Sequence, residues 1–263
     1  MPSDIAVGFV LYNPGESAIQ RINMLALAGY CVYVFDNSVL FSANRAALAP
    51  KEVRYAAAGH NLGLGVGLSQ VCATAYGDGW KRLLFFDQDT RFNLTTLTHV
   101  ERAAKDFDGA GIYDDYAIFT FSGGLPLSER VLDVDLAISS GSLFNLDHLL
   151  SIGWHNSSYF VDCVDYEICL RLRERGLKIG LVAGVPGFDH ASEQDDKTVS
   201  VFGYLFKGRR YAQRRVCDAL SAYCKLIFRC LRRGRFRDFL VIGRSMFIYL
   251  AGQILATIFI RSR

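Results

Sequence analysis

Short apolar runs alternate with longer helix-like stretches through the first half of this chain. The runs at 5–11, 31–35, 83–86 and 117–121 have the length and composition of strands. Segments at 17–28, 66–76 and 95–106 lie between them and read as helices. This alternation predicts an α/β domain with a mostly parallel central sheet. Turn formers stand where such a fold needs them: Asn13-Pro14-Gly15, Asp36-Asn37-Ser38 and Gly77-Asp78-Gly79. Further on, the pattern is again strand-like from Val131 through Ala137–Phe144, and Asp147–Gly153 reads as a short helix. A longer helix is expected from about Asp165 to Arg175, closed by Gly176 at the position after its cap. There is no internal repeat, and 263 residues with 51% hydrophobic content suffice for one sizeable core.

The run Leu83-Leu84-Phe85-Phe86 ends abruptly in Asp87-Gln88-Asp89. In parallel-sheet proteins ligands bind beyond the carboxyl ends of strands. Two carboxylates delivered there can hold a divalent cation against a phosphate-bearing substrate. An ordinary acidic turn would show the same residues, because Asp is a common turn former.

The net charge of +3 conceals a division. Residues 1–206 carry 15 Lys and Arg against 24 Asp and Glu, a net of −9. Residues 207–263 carry 14 against 2, a net of +12. Two regions with different tasks are expected, 1–206 and 207–263. In the second, Arg209, Arg210, Arg214, Arg215, Lys225, Arg229, Arg232, Arg233, Arg235 and Arg237 stud what reads as one long helical stretch. Phe239–Ile260 follows, long enough to cross a bilayer. Arg244 would cost about 2.5–3.5 kcal/mol near the centre of a spanning helix, but close to one end it can snorkel. A basic helix followed by an apolar one suits an anionic cytoplasmic leaflet; a solvated helix with a dimerisation segment is the plainer alternative. Nucleic acid is not an expected partner, since no recognised module is present and residues 1–206 are acidic. The seven cysteines are odd in number and form no Cys-x-x-Cys pair, which points to a reducing, cytosolic setting. The strand-like Ile5–Leu11 near the amino terminus leaves no expectation of a secretory signal.

A second acidic cluster, Asp162, Asp165 and Glu167, enters the helix near 165–175. Carboxylates are favoured at a helix start, yet capping does not need three. Arg171 stands four residues after Glu167 and is expected to pair with it, which leaves Asp165 the freer base. His190 follows Asp189 and can offer a neutral imidazole to a cation, although a lone histidine is more often structural. The segment Gly59–Gly67 does not complete a dinucleotide fingerprint, because Leu68 stands where the third glycine belongs. Either a glycine-rich helix start beside a phosphate or sugar, or close packing, would account for it.

The ordered set Tyr12-Asn13-Pro14, Phe35-Asp36-Asn37-Ser38, Asn61-Leu62-Gly63, Asp87-Gln88-Asp89, Ser139-Ser140-Gly141-Ser142, Val164-Asp165-Tyr166-Glu167 and His190 resembles the inverting family-2 glycosyltransferases, most of all bacterial rhamnosyltransferases. The likeness covers about residues 4–215 and implies a GT-A fold, a nucleotide-sugar donor and Mg²⁺ or Mn²⁺. It implies that Asp36 accepts a hydrogen bond from a pyrimidine imide, with Asn13 beside the base and Asn61 also on the donor side. Asp87 would face the nucleoside sugar, Asp89 would bind the metal, and His190 would approach the metal or diphosphate. Asp165 matches the catalytic base, with Ser140, Gly141, Asp162 and Glu167 on the acceptor side. Val164 departs from the Glu that many members carry before that base, and marks a subgroup.

The implied activity is transfer of a sugar, with rhamnose from dTDP-rhamnose as the first choice and a UDP-sugar as the second, to a hydroxyl of a lipid-linked or polysaccharide acceptor. Arg209, Arg210 and Arg214 are expected as clamps on the diphosphate. O-antigen, capsule or similar polysaccharide assembly at the cytoplasmic face of the inner membrane would fit. Two other classes remain: a sugar nucleotidyltransferase, which the basic-free Asn13-Pro14-Gly15 loop disfavours, and a membrane protein that binds nucleotide-sugar without turnover.

Overall fold

The computed structural model describes residues 4–48, 53–123, 131–190, 197–201, 204–208 and 210–259. It divides into two compact units, Met1–Asp189 and His190–Arg263. The break in compactness therefore precedes the change of charge at 206/207.

In the first unit, β1 (Ala6–Leu11), α1 (Glu16–Leu27), β2 (Val32–Asp36), α2 (Phe41–Ala47), β3 (Val53–Ala57), α3 (Leu64–Gly77) and β4 (Arg82–Asp87) come first. They are followed by β5 (Thr90–Arg91), α4 (Leu94–Gly109), β6 (Tyr116–Ser122), β7 (Val131–Asp133), β8 (Ser142–Asn145), α5 (Leu146–Ser151), α6 (Val164–Glu174) and β9 (Lys178–Ala183). The central sheet has eight strands in the order β3-β2-β1-β4-β8-β6-β9-β7. Strands β3, β2, β1 and β4 run parallel, as do β6 and β9. Strand β8 is antiparallel to both of its neighbours, and so is β7 to β9. The α/β class and the mostly parallel sheet expected from the alternation are present.

The four apolar side chains of Leu83–Phe86 are all essentially inaccessible, consistent with a strand covered on both faces. Each contributes about 1.5–3 kcal/mol by leaving water. Phe86 stacks on Phe92 at 4.3 Å between ring centroids and meets Phe188 edge-on at 4.9 Å, so an aromatic layer lies directly under the carboxyl end of β4. Asn93 caps α4 by accepting from Thr96 N–H at 2.8 Å. Helix α6 ends as expected: Gly176 has φ +79° and its N–H bonds to Arg173 O at 3.1 Å.

Two elements were not legible as regular structure. Helix α2 has no buried face, and β3 is an edge strand whose Arg54 and Ala56 point to solvent. Conversely, Ala137–Gly141 is not strand. Gly141 has φ +72°, and Ser142 N–H bonds back to Ser139 O at 3.1 Å, so the chain turns there and only Ser142–Asn145 joins the sheet.

Strand β10 (Asp189–His190) straddles the division between the units. The second unit holds an antiparallel hairpin, β11 (Lys197–Val201) and β12 (Tyr204–Gly208), then α7 (Gln213–Arg232) and α8 (Phe236–Phe259). The single basic helix expected across 209–237 is thus two helices. Gly234, at φ +64°, stops α7, and Arg235 N–H bonds to Cys230 O at 2.9 Å before α8 begins. Helix α8 is long and apolar enough to cross a membrane by length and composition, and little of it is buried.

Candidate functional site

The carboxyl ends of β1, β2 and β4 lie side by side, because β1 pairs with both of the others in parallel. Each ends in a polar group: Asn13 just after β1, Asp36 closing β2, Asp87 closing β4. Asn13 is exposed and left-handed at φ 47°, a conformation asparagine tolerates, and its N–H bonds to Ser38 Oγ at 2.7 Å. Asp36 is fully buried. One of its oxygens accepts from Ser38 N–H and the other from Asn44 Nδ2 and Tyr55 Oη, each at 2.7 Å. Burial of Tyr55, and then its hydrogen bond to the Asp36 carboxylate, raise the proton affinity of the Tyr55 phenol. Three of the roughly four acceptor positions of Asp36 are therefore used within the protein by described residues.

Asn37 ties β2 to the start of α3. Its Oδ1 accepts Leu62 N–H at 3.0 Å and its Nδ2 donates to Gly63 O at 3.1 Å. Asn61 is engaged locally, its Oδ1 accepting Gly63 N–H at 2.9 Å. The glycines that follow are explained by close packing. A Cβ on Gly63 would stand 2.6 Å from Phe160 O, one on Gly65 2.7 Å from both Asn156 O and Tyr159 O, and one on Gly67 2.7 Å from Val10 Cγ1. The start of α3 is pressed between β1 and the 156–160 turn.

The Asp87-Gln88-Asp89 turn is held by its neighbours. Asp87 N–H donates to Ser140 Oγ at 2.9 Å, and that hydroxyl lies 2.6 Å from Thr90 Oγ1. Gln88 clasps the end of β1 with both ends of its amide: Oε1 accepts Tyr12 N–H at 2.8 Å and Nε2 donates to Tyr12 O at 3.1 Å. Ser140, expected on the acceptor side, is instead buried beneath the turn. Gly141 is packed against Phe188, whose ring would lie 2.6 Å from an added Cβ, and its N–H bonds to Phe85 O at 2.7 Å. Both residues support the turn because a small side chain and a left-handed backbone are required there.

Helix α6 begins after Cys163, a non-glycine residue at φ +63°. Such a conformation costs on the order of 1 kcal/mol or more and is characteristic of sites where the surroundings impose it. It sets Asp165 in the first turn, half-buried, where Ser139 Oγ–H donates to its Oδ1. Asp87 is pushed up to about 7, by burial first and then by the charges of Asp165 and Asp89. The three carboxylates thus share one electrostatic neighbourhood. The Cys163 thiol is pushed up to about 12 by burial and by Asp162 and Asp165, which removes it as a thiolate nucleophile near neutral pH.

Glu167 is also relocated. It is 1% exposed and pairs with Arg171 Nε at 2.7 Å, while Arg171 donates to Ile152 O at 2.6 Å and to Trp154 O. The anticipated pair forms, and it takes Glu167 off the acceptor side. Asp162 is half-buried one residue before Cys163. Arg210 and Arg214 are exposed in the second unit. Arg209 and the side chain of His190 lie outside the described residues. Residues not anticipated from sequence are Ser139 and Gln88, both inside quoted motifs, and Asn44 and Tyr55, which carry no local signal.

Among the described residues no group of three His, Cys, Asp or Glu side chains is set to hold a metal ion. The donor set at Asp87 and Asp89 nevertheless fits a hard cation. Mg²⁺-like ions bind through one or two carboxylates, completed by substrate phosphates, and crowded carboxylates are the charge such an ion relieves.

Searched against family models and against curated proteins, the sequence finds no match. Solved structures do match. S. aureus TarS superposes with a TM-score of 0.52 at 17% identity, over 72% of this chain and 36% of that one. A 1–349 form of S. aureus TarS in complex with UDP-GlcNAc gives 0.50 at 16% identity, over 73% and 61%. GalNAc-T7 with UDP, GalNAc and Mn²⁺ gives 0.56 at 11%, over 88% and 51%. The chain spans between about a third and two thirds of the length of these structures. At such identities the likeness is one of architecture alone, that of the GT-A fold.

Proposed function

We propose that this protein is an inverting glycosyltransferase that moves a sugar from a nucleoside-diphosphate donor to an acceptor hydroxyl. The observation that carries the reading is the convergence of Asp87, Asp89 and Asp165, the first pushed up to about 7 by burial and then by the charges of Asp165 and Asp89. Solved structures of the same fold with UDP-GlcNAc, and with UDP, GalNAc and Mn²⁺, support a nucleotide-sugar donor and a divalent cation.

Asp165, oriented by Ser139, takes the proton of the acceptor hydroxyl. That oxygen bonds to the anomeric carbon as the bond to the diphosphate oxygen breaks, and the diphosphate leaves with the electron pair. One displacement inverts the anomeric centre. Asp89, with Asp87 beside it, would hold a divalent cation, Mg²⁺ or Mn²⁺, and that ion would supply Lewis-acid neutralisation of charge on the diphosphate. Asn13 and Asp36 are assigned to the base, with Asn61 shaping the loop beside them. His190 is assigned to the metal or diphosphate by resemblance, as is rhamnose, with dTDP-rhamnose ahead of a UDP-sugar, while Arg209, Arg210 and Arg214 are assigned as clamps on the diphosphate by their charge.

The acceptor is lipid-linked or part of a surface polysaccharide, and the second unit holds the enzyme at the cytoplasmic membrane. Support comes from the net charge of +12 over 207–263 and from the exposed Leu240, Phe247, Ile248, Ile254 and Ile258 along α8.

The reading is tested by thermal-shift titration with UDP, dTDP, GDP and CMP, with and without Mn²⁺. A ligand at 100 times its dissociation constant stabilises by about 2.7 kcal/mol. Metal-dependent stabilisation by UDP or dTDP that disappears in Asp89→Ala is expected; no response to any nucleotide rejects the proposal. Asp165→Asn should bind donor normally and lose transfer by on the order of a hundredfold or more.

A further inference from the structure

Three of the four residues from Asp87 to Thr90 have their main chain or side chain fastened to something else. Asp87 N–H is held by Ser140, Gln88 by the Tyr12 backbone, and Thr90 Oγ1 by Ser140. The remaining main-chain acceptor in the middle of the turn, Gln88 O, receives the guanidinium of Arg21 at 2.5 Å. Arg21 comes from α1, 67 residues away, and stands half-buried behind the turn. Burial and the nearby Arg91 both disfavour its charge, while Asp89 favours it. A cation kept in such a place at a cost has a reason to be there, and the carboxylates in front of it provide one.

We propose that Arg21 is a positioning residue for the metal site: by gripping Gln88 O it fixes the peptide that orients Asp89, and its charge offsets part of the repulsion among Asp87, Asp89 and Asp165. The inference rests on the glycosyltransferase reading. Arg21 touches neither donor nor acceptor in this role and acts through the turn. Gln88 is its partner from the opposite side, since its side chain clasps Tyr12 while its carbonyl is held by Arg21.

The test is a Mn²⁺ titration of the full chain with saturating UDP and, separately, dTDP, following bound Mn²⁺ by electron paramagnetic resonance. Wild type, Arg21→Met, Arg21→Lys and Gln88→Leu are compared, with the metal-free melting temperature of each. Arg21→Met is expected to weaken Mn²⁺ binding by about tenfold or more, the usual effect of removing a group that supports a ligand. Arg21→Lys should recover part of the loss, because it restores charge and one donor. A merely structural role would lower the metal-free melting temperature and leave the Mn²⁺ constant alone. A Mn²⁺ constant in Arg21→Met within twofold of wild type overturns the proposal. If Arg21→Met does not fold, Arg21→Gln, which removes the charge and reaches less far, decides: Mn²⁺ binding weakened by about tenfold supports the proposal, and binding within twofold of wild type overturns it, with Gln88→Leu as the comparison that loosens the turn while leaving Gln88 O in place. Wild-type protein that binds no Mn²⁺ with either diphosphate rejects the functional reading itself, and Arg21's role with it.

Discussion

His155 shows how one residue can tie this fold to pH. It is 3% exposed, its ring lies 5.6 Å from Phe144, and neither ring nitrogen has a hydrogen-bond partner among the described residues. Burial, and secondarily Arg171, lower its pKa to about 3 from the usual 6.5. The folded protein keeps the ring neutral while the unfolded chain protonates it below about pH 6.5. Its effect is therefore absent above pH 6.5, and stability is lost as pH falls from there towards 3. Each pH unit in that window removes up to about 1.4 kcal/mol. His155→Leu should flatten this part of the profile, seen as a smaller drop in urea midpoint between pH 7 and pH 5 than in wild type. Aspartates also titrate in that range, so the difference between the two proteins is the quantity to read. At the same scale, Asp36 and Glu167 illustrate that a carboxylate's chemical type does not reveal its occupancy. One is taken up by Ser38, Asn44 and Tyr55, and the other by Arg171.

Among the elements, α3 leaves little room at its start. Its first turn meets backbone oxygens of the 156–160 turn, which leads into α6 and Asp165, so α3 sets where the base stands. Gly65→Ala would place a methyl 2.7 Å from Asn156 O and Tyr159 O, neither of which can rotate aside. Overpacking of this kind costs about 1–3 kcal/mol. The expected result is a melting temperature lowered by roughly 3–10 °C, checked by calorimetry. Gly77→Ala, at the other end of the same helix, meets nothing within 4 Å and should be neutral or gain up to about 1 kcal/mol. Equal losses at both positions would mean that contact with the 156–160 turn is not what limits α3, since helix propensity favours alanine at both.

Across the whole molecule, charge and compactness divide the chain at slightly different places. The acidic first unit carries the sheet and the carboxylate site, and the basic second unit carries a helix with exposed apolar residues. Removing residues 236–263 should release the protein from vesicles containing anionic lipid while leaving nucleotide-dependent thermal stabilisation in place, measured by flotation and thermal shift. Full-length protein should bind such vesicles more weakly as salt is raised, because screening shortens the reach of the basic residues. A truncated form that still floats with lipid would place the attachment elsewhere. The sequence by itself determined the fold class and the carboxylate turn. Strand and helix periodicity are local, and Leu83–Phe86 followed by Asp87-Gln88-Asp89 is a contiguous pattern with a physical meaning of its own. It determined the Glu167–Arg171 pair as well, since four residues is one helical turn. Only the tertiary structure decided which polar groups are left for a ligand. Asp36, Ser140, Arg21 and Gln88 are claimed by partners 19, 53, 67 and 76 residues away, and contacts at that separation depend on how β1, β2, β4 and α1 are brought together. It likewise decided that Ala137–Gly141 turns and that α7 and α8 separate at Gly234, because a positive φ at a glycine is a choice the packed chain makes and composition does not record.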